Sequence, residues 1–322
     1  MRTFSALVVT AGLILSLTAC SGGPEPLFGG CTPEFESGDA STQIDASGDF
    51  GSEPTVEFPT PLYSDEIQVT ELEPGEGEPL YPGQVVDFHL TAYFGESGEL
   101  FTTTFGGESP IRRPITESAD KLGLMLQCAT VGSRLAAVST VGDILPEDTI
   151  TQNGLDADVD VVVVFDVIDG YLGKANGNDQ LPQAGFPAIS LAPNGQPGIT
   201  PLNEEPPTEL KIDVLKAGDG PVVEEGDSVV LHYTGLVWGA DNTFESTWES
   251  GTPTTIPFGE SDQAAGEAGL EGFTEAVLGE RVGSQVIVII PPEFGYREGT
   301  GPAGVSDDST LFFVIDILGI EQ

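Results

Sequence analysis

Positive charge is scarce in this 322-residue chain: 10 Lys and Arg stand against 52 Asp and Glu, a formal net charge of -42 at pH 7. A field of that sign repels phosphate backbones and anionic lipid headgroups, so no nucleic-acid partner is expected. Self-repulsion that keeps the chain soluble is the ordinary meaning of such an excess. Histidine and cysteine are as sparse, with two and three residues, and neither type falls at zinc-ligand spacing. No glycine-rich phosphate loop and no Ser/His/Asp set accompanies them, so we expect neither metal nor cofactor, and no nucleophilic hydrolase. Long apolar runs are also missing. The main one, Ala6 to Leu17, is too short to cross a bilayer as a helix but suits the apolar core of a signal peptide. The length is comfortable for two domains, each able to bury its own core.

The N-terminus bears on compartment. Arg2 precedes the apolar run, and Leu17-Thr18-Ala19-Cys20 resembles the bacterial lipobox, in which the cysteine is acylated and becomes the new N-terminus. Residues 1–19 are then a lipoprotein signal peptide, Cys20 the anchor, and residues 20–53, rich in Gly, Ser, Asp and Glu, a flexible tether. Ordinary secretion is the rival, but Leu17 is bulky where a small-x-small cleavage site wants a small residue. The expected location is the extracytoplasmic side of the cell membrane. Cys31 and Cys128 remain, and an oxidising compartment makes a single disulfide between them the leading reading, with two free buried thiols as the alternative.

An internal repeat organises the rest. Shifting the first half by 143 positions carries Gly75, Gly77, Gly83, Val86, His89, Thr91, Phe101, Pro110 and Pro114 onto Gly218, Gly220, Gly226, Val229, His232, Thr234, Phe244, Pro253 and Pro257. After eight more positions Val131-Gly132-Ser133 meets Val282-Gly283-Ser284, and one step short of that frame Asp166 meets Asp316. One fold is therefore expected twice, over 54–172 and 208–322, joined by a proline-rich connection at 173–207. Pro54 to Phe58 and Pro187 to Leu191 alternate at strand period, and each is expected to add an edge strand to the domain after it. In the second copy, runs rich in Val, Ile, Thr and aromatics predict strands near 209–215, 228–237, 243–248, 254–258, 285–290 and 310–320. Leu270, Phe273, Val277 and Leu278 predict one short helix. The inventory is α+β, with a small barrel as the other arrangement the pattern allows.

Within the second copy the order Val229 to Gly235, Phe244-Glu245, Gly272-Phe273, Val282-Gly283-Ser284, Tyr296 and Leu311-Phe312-Phe313 resembles FKBP-type peptidyl-prolyl cis-trans isomerases. The resemblance implies two FKBP-like domains, each a bent antiparallel sheet wrapped around one short helix. It also implies a proline-binding pocket, with Phe273 as its floor where tryptophan is usual in the family. Tyr233, Phe244 and Phe313 would be its aromatic walls, and Leu270 and Val305 its aliphatic ones. Tyr296 would supply a hydroxyl to a ligand carbonyl, and Glu245, where aspartate is usual, would orient the Tyr233 hydroxyl. Thr254 and Gly269 stand where larger wall residues are frequent, and the usual arginine has no counterpart near Glu249-Ser250. Glu298, Asp307 and Asp308 follow Tyr296, so anionic substrates are disfavoured. By strand alternation His89 and His232 face away from the pocket, and Trp248 is expected to pack rather than bind.

Isomerising an X-Pro bond needs no nucleophile, metal or strong base. The barrier of roughly 18–20 kcal/mol is amide resonance, and a dry pocket with fixed donors can favour the twisted amide. The first copy offers Leu90 for Tyr233, Thr102 for Glu245, Leu122 for Phe273 and Val163 for Phe313, and its 139–150 stretch has no tyrosine. It is expected to be catalytically silent. The function implied is a membrane-anchored isomerase acting on X-Pro-containing polypeptides of exported proteins. A non-catalytic chaperone-like module and an envelope scaffold are the alternatives.

Overall fold

The computed structural model describes residues 31–321 apart from 108, 117–120, 203, 259–269 and 298. The signal segment 1–19, Cys20, Gly269 and Glu298 lie outside the described residues. Two antiparallel sheets share one strand order. The first runs Gln68–Glu73, Arg134–Thr140, Asp160–Tyr171, Val85–Phe94, Leu100–Thr103, with Ile111–Pro114 also paired to Val85–Phe94. The second runs Lys211–Ala217, Gln285–Ile290, Leu311–Ile320, Ser228–Val237, Thr243–Ser246, with Thr254–Pro257 paired to Ser228–Val237. Register irregularities recur at matching places, between Asp87 and Phe88 and between Val230 and Leu231, and bend both sheets alike. Gly75 and Gly218 match for a packing reason: a Cβ would lie 2.2 Å from the Val131 carbonyl oxygen and 2.3 Å from that of Val282.

Each sheet wraps its concave face on a short helix, Leu122–Met125 in the first copy and Glu271–Val277 in the second. The second helix sits where the spacing predicts it, with Leu270 and Leu278 as its flanking caps. Its interior is apolar on the side of Phe273, Ala276 and Val277, all buried in one core with Val229, Leu231, Val286 and Ile315.

The convex faces are also covered, which corrects three expectations. Residues 31–53 are not a free tether. Ala40, Ile44 and Ala46 pack with Leu62 against Ala136, Val138, Val162 and Val164, and Cys31 is joined to Cys128 by a disulfide. Burying the larger side chains of this set, Ile44 and Leu62, contributes about 1.5–3 kcal/mol each. Thr55–Glu57 pairs with Asp45–Ser47 in a separate two-stranded sheet instead of edging the main one. Ala188–Leu191 likewise forms its own hairpin with Pro197–Thr200. That hairpin lays Ile189 and Ile199, with Phe186, on Leu236, Ile287, Ile289, Phe312 and Val314. The connection thus finishes the outer face of the second sheet. Double coverage also explains why the central strand of the first sheet is apolar without alternation: Val161 and Val163 face the inner core while Val162 and Val164 face the strap.

The copies meet through equivalent patches. Val85, Tyr171, Val230 and Leu318 form a shared apolar cluster, and Gly319 admits the Tyr171 ring, which would stand 2.3 Å from an added Cβ. Arg112 donates from Nε and Nη2 to Asp87 at 2.7 and 2.6 Å, from Nη1 to Thr255 at 2.8 Å and from Nη2 to Glu321 at 2.9 Å. Its guanidinium also lies 5.0 Å from the Tyr171 ring centroid. Arg112 and Thr255 are matched positions of the repeat.

Candidate functional site

Strand Ser228–Val237 presents Leu231 and Tyr233 inward, and strand Leu311–Ile320 presents Leu311, Phe313 and Ile315 beside them. The helix supplies Phe273 from below, and its cap residue Leu270 joins the same cluster. The rings meet mostly edge to face: Phe273 with Phe313 at 5.2 Å and 86°, Tyr233 with Phe273 at 5.8 Å and 81°, and Phe244 with Phe313 at 5.6 Å and 89°. Gly235 makes this possible, since a Cβ there would lie 2.7 Å from both the Phe244 and the Phe313 rings. Tyr296 follows the turn Pro292–Phe294 and is buried, and Val305 packs on the cluster from the next loop.

The polar feature is one carboxylate. Tyr233 donates its hydroxyl to Glu245 Oε1 at 3.0 Å, so the longer glutamate reaches the tyrosine from the neighbouring strand Thr243–Ser246. Phe273 and Phe313 are fully buried, while Phe244, Glu245 and Val305 are only partly so and form the solvent-facing rim. All eight residues that the resemblance assigns to the pocket are thus brought together in one place. Phe258 is the member that spacing missed. Its ring stacks on Phe273 at 6.5 Å and 11°. The signal was present, because Ile256 and Phe258 alternate inward at the end of strand Thr254–Pro257.

The opposite face of the same strand carries His232, stacked on Trp248 at 3.9 Å and bonded through Nδ1 to Thr247 at 2.7 Å. Burial pushes its pKa down to about 4, so it is neutral at physiological pH. Thr247 also accepts from the Tyr233 backbone N–H at 3.0 Å, which fixes the strand that carries the tyrosine. Clefts of about 660 and 700 Å³ occur at Phe35, Gln68 and Asp143 and between the copies at Leu172 and Trp248, and neither includes any of the eight residues. Among the described residues no group of three or more His, Cys, Asp or Glu is placed to hold a metal ion.

Residues 220–318, within the second copy, match the family model described as FKBP-type peptidyl-prolyl cis-trans isomerase. Over 117 residues the chain is 33% identical to the FK506-binding protein of Streptomyces anulatus, a match spanning 36% of this chain and 90% of that relative. The chain belongs to the FKBP family. It is also 31% identical over 118 residues to FK506-binding protein 2 of Dictyostelium discoideum, covering 36% of this chain and 84% of that one. With the FKBP-type isomerase FkpA of Escherichia coli it shares 28% identity over 115 residues, 35% of this chain and 38% of the relative.

The first copy departs from this arrangement in its packing. Leu90, Leu122 and Val163 are buried where the second copy has Tyr233, Phe273 and Phe313, and Thr102 is exposed in place of Glu245. Its aromatic bulk sits deeper in the sheet: Phe88 and Phe165, fully buried and edge to face at 5.6 Å, match Leu231 and Ile315. The stretch that would carry a tyrosine like Tyr296 instead forms helices Val141–Ile144, closed by a Thr140/Asp143 capping box, and Glu147–Asn153.

Proposed function

We propose that this protein is a peptidyl-prolyl cis-trans isomerase whose second copy carries the turnover and whose first copy is silent. The observation that supports this is the ring cluster of Tyr233, Phe244, Phe273 and Phe313 with the Tyr233 hydroxyl on Glu245, a set with no equivalent in the first copy. A proline ring seated among these edges would leave its amide in an apolar wall. Water that stabilises the planar amide would be stripped away, and the Tyr296 hydroxyl would be the fixed donor to a carbonyl of the substrate. Each 1.36 kcal/mol of preference for the twisted amide is worth about tenfold in rate.

By the same reading the protein sits at the outer face of the cytoplasmic membrane through acylated Cys20, where it speeds slow X-Pro steps in exported polypeptides. The Leu17 to Cys20 pattern supports this. The activity is tested by proline-limited refolding of a model substrate with the full chain: acceleration lost in Tyr296→Ala supports the assignment, and no acceleration by folded wild type favours a binding module. For the anchor, Cys20→Ala should release the protein from the membrane fraction, and retention of that variant would remove the lipid from the account.

A further inference from the structure

The inner row of strand Arg134–Thr140 ends on a polar side chain where its counterpart is apolar. Leu135 and Ala137 face the first core, and the next residue of that row, Ser139, matches Ile290, which is fully buried in the second core. Ile67 matches Leu210 and Lys121 matches Gly272 in the same frames of the repeat. In the second copy these positions close on one another, because a Cβ on Gly272 would stand 2.8 Å from Ile290 and 2.9 Å from Leu210. In the first, Lys121 turns its ammonium to Asp143 at 3.0 Å, and Ser139 lacks the bulk of an isoleucine. A cleft of about 660 Å³ is left at this end of the sheet, lined also by residues 33–38 and 64–68. Ser139, on its wall, is 3% exposed, and its hydroxyl has no hydrogen-bond partner among the described residues. A buried hydroxyl is costly to leave unpaired.

The same cleft is strongly acidic. Residues 33–38 run along strand Gln68–Glu73, with the Val69 N–H on the Glu36 carbonyl at 3.0 Å, and Phe35 packs into the first core, which leaves Glu34 and Glu36 exposed on either side of it. Asp65 and Glu66 are exposed on the second lining segment. Asp143 is already spent, accepting from Lys121 and from the Thr140 backbone N–H at 3.0 Å and hydroxyl at 2.9 Å. The other four carboxylates have no ion-pair partner among the described residues, and they do not converge as a metal site would require.

We propose that this cleft is a second polypeptide-binding site, in which a lysine side chain of a client chain is drawn in by Glu34, Glu36, Asp65 and Glu66 and donates an ammonium N–H to the Ser139 hydroxyl. Lysine fits because its slender apolar stem ends in three donors and no acceptor, which answers four acceptor carboxylates and an unpaired hydroxyl. The volume lies within the roughly 300–1,000 Å³ of ordinary ligand pockets, so neighbouring residues of the client have room as well. The choice of a polypeptide as occupant rests on the isomerase reading. The site gives the catalytically silent copy a task, which is to hold a basic stretch of the client while the second copy acts on its X-Pro bonds.

The test is an NMR titration of the full chain at low salt with a proline-free peptide of glycine and lysine. Amide shifts should concentrate on 34–38, 64–68 and 139–143, and acetylating the peptide's lysines should abolish them. Ser139→Ala deletes only the unpaired hydroxyl and leaves the net charge of -42 unchanged. It should weaken binding about tenfold with no loss of thermal stability. Glu34→Gln with Glu36→Gln should weaken binding several-fold, and more than Glu224→Gln with Glu225→Gln, the same change of charge on the second copy. Turnover of a short X-Pro peptide should be the same in Ser139→Ala as in wild type, so a failure of this site leaves the isomerase reading standing, and a failure of turnover leaves the titration readable. Shifts spread evenly over the acidic surface, or equal affinity in wild type and Ser139→Ala, overturn the proposal.

Discussion

The Tyr233–Glu245 hydrogen bond can be weighed by a double-mutant cycle. Tyr233→Phe removes only a hydroxyl from a ring that is 3% exposed and packed on Phe273 and Phe313, so the apolar wall stays in place. Glu245→Gln keeps the length of the side chain and an oxygen able to accept at 3.0 Å, but removes the charge. A hydrogen bond to a charged group is worth about 1.5–3 kcal/mol when buried, and about 0.5–1.5 kcal/mol is appropriate for a rim carboxylate that water reaches. If the bond fixes the tyrosine in the geometry the twisted amide needs, each single change should lower kcat/KM about three- to tenfold. The double variant should lose little more than either single one, because the two groups act through one contact. The assay is kcat/KM on an X-Pro peptide, with thermal unfolding run alongside. Strictly additive losses would refute the coupling, and stability losses without any kinetic change would make the bond purely structural.

Other consequences follow from the packing and the charge. Arg112→Ala strands the buried carboxylate of Asp87 at the junction and should cost about 3–5 kcal/mol of stability by thermal unfolding, while Arg112→Lys should recover only part of it. Reducing Cys31–Cys128, which closes a loop of 97 residues, should destabilise the first copy by about 4–5 kcal/mol in denaturant titration, and an unchanged midpoint would show that the strap holds without it. Peptides with Lys beside the X-Pro bond should have lower KM than their Glu counterparts. Glu245, Asp307 and Asp308 lie at the rim or in the loop after Tyr296, and each contributes about 0.4 kcal/mol at ~10 Å in water before screening. A several-fold preference at low salt should therefore vanish near ~0.5 M salt, and a salt-insensitive preference would point to contacts other than charge.

Much of the second copy was legible in its sequence. Strands Ser228–Val237 and Gln285–Ile290 and the helix at Phe273 fall where period 2 and period 3.6 place them. The side of the sheet was legible too, because alternation sends Tyr233 and Phe313 to the face opposite His232, while the choice of the eight residues came from the family resemblance. The straps were not. Their sequences are rich in Gly, Pro, Ser and Asp, and although 55–58 and 188–191 alternate at strand period, that alternation does not say which surface Ala40, Ile44, Ile189 and Ile199 would cover. The trace they did leave was on the sheets, where Val161 to Val164 and Val286 to Ile290 are apolar without alternation, the mark of strands covered on both faces. Phe258 carried a signal in its alternation with Ile256, but its contact with Phe273 shows only in the packed structure.

The central claim is that turnover belongs to the second copy alone, and two-dimensional exchange NMR on an X-Pro peptide tests it in the intact chain. Wild type should speed cis-trans exchange, and Tyr296→Ala and Tyr233→Phe should each reduce it while the fold of the first copy, read by its own amide spectrum, is unchanged. Combining Tyr296→Ala with Phe313→Ala should bring exchange to the uncatalysed rate. Exchange that persists at the wild-type rate in that variant would place the activity outside the ring cluster, and no acceleration by folded wild type would remove catalysis from the account.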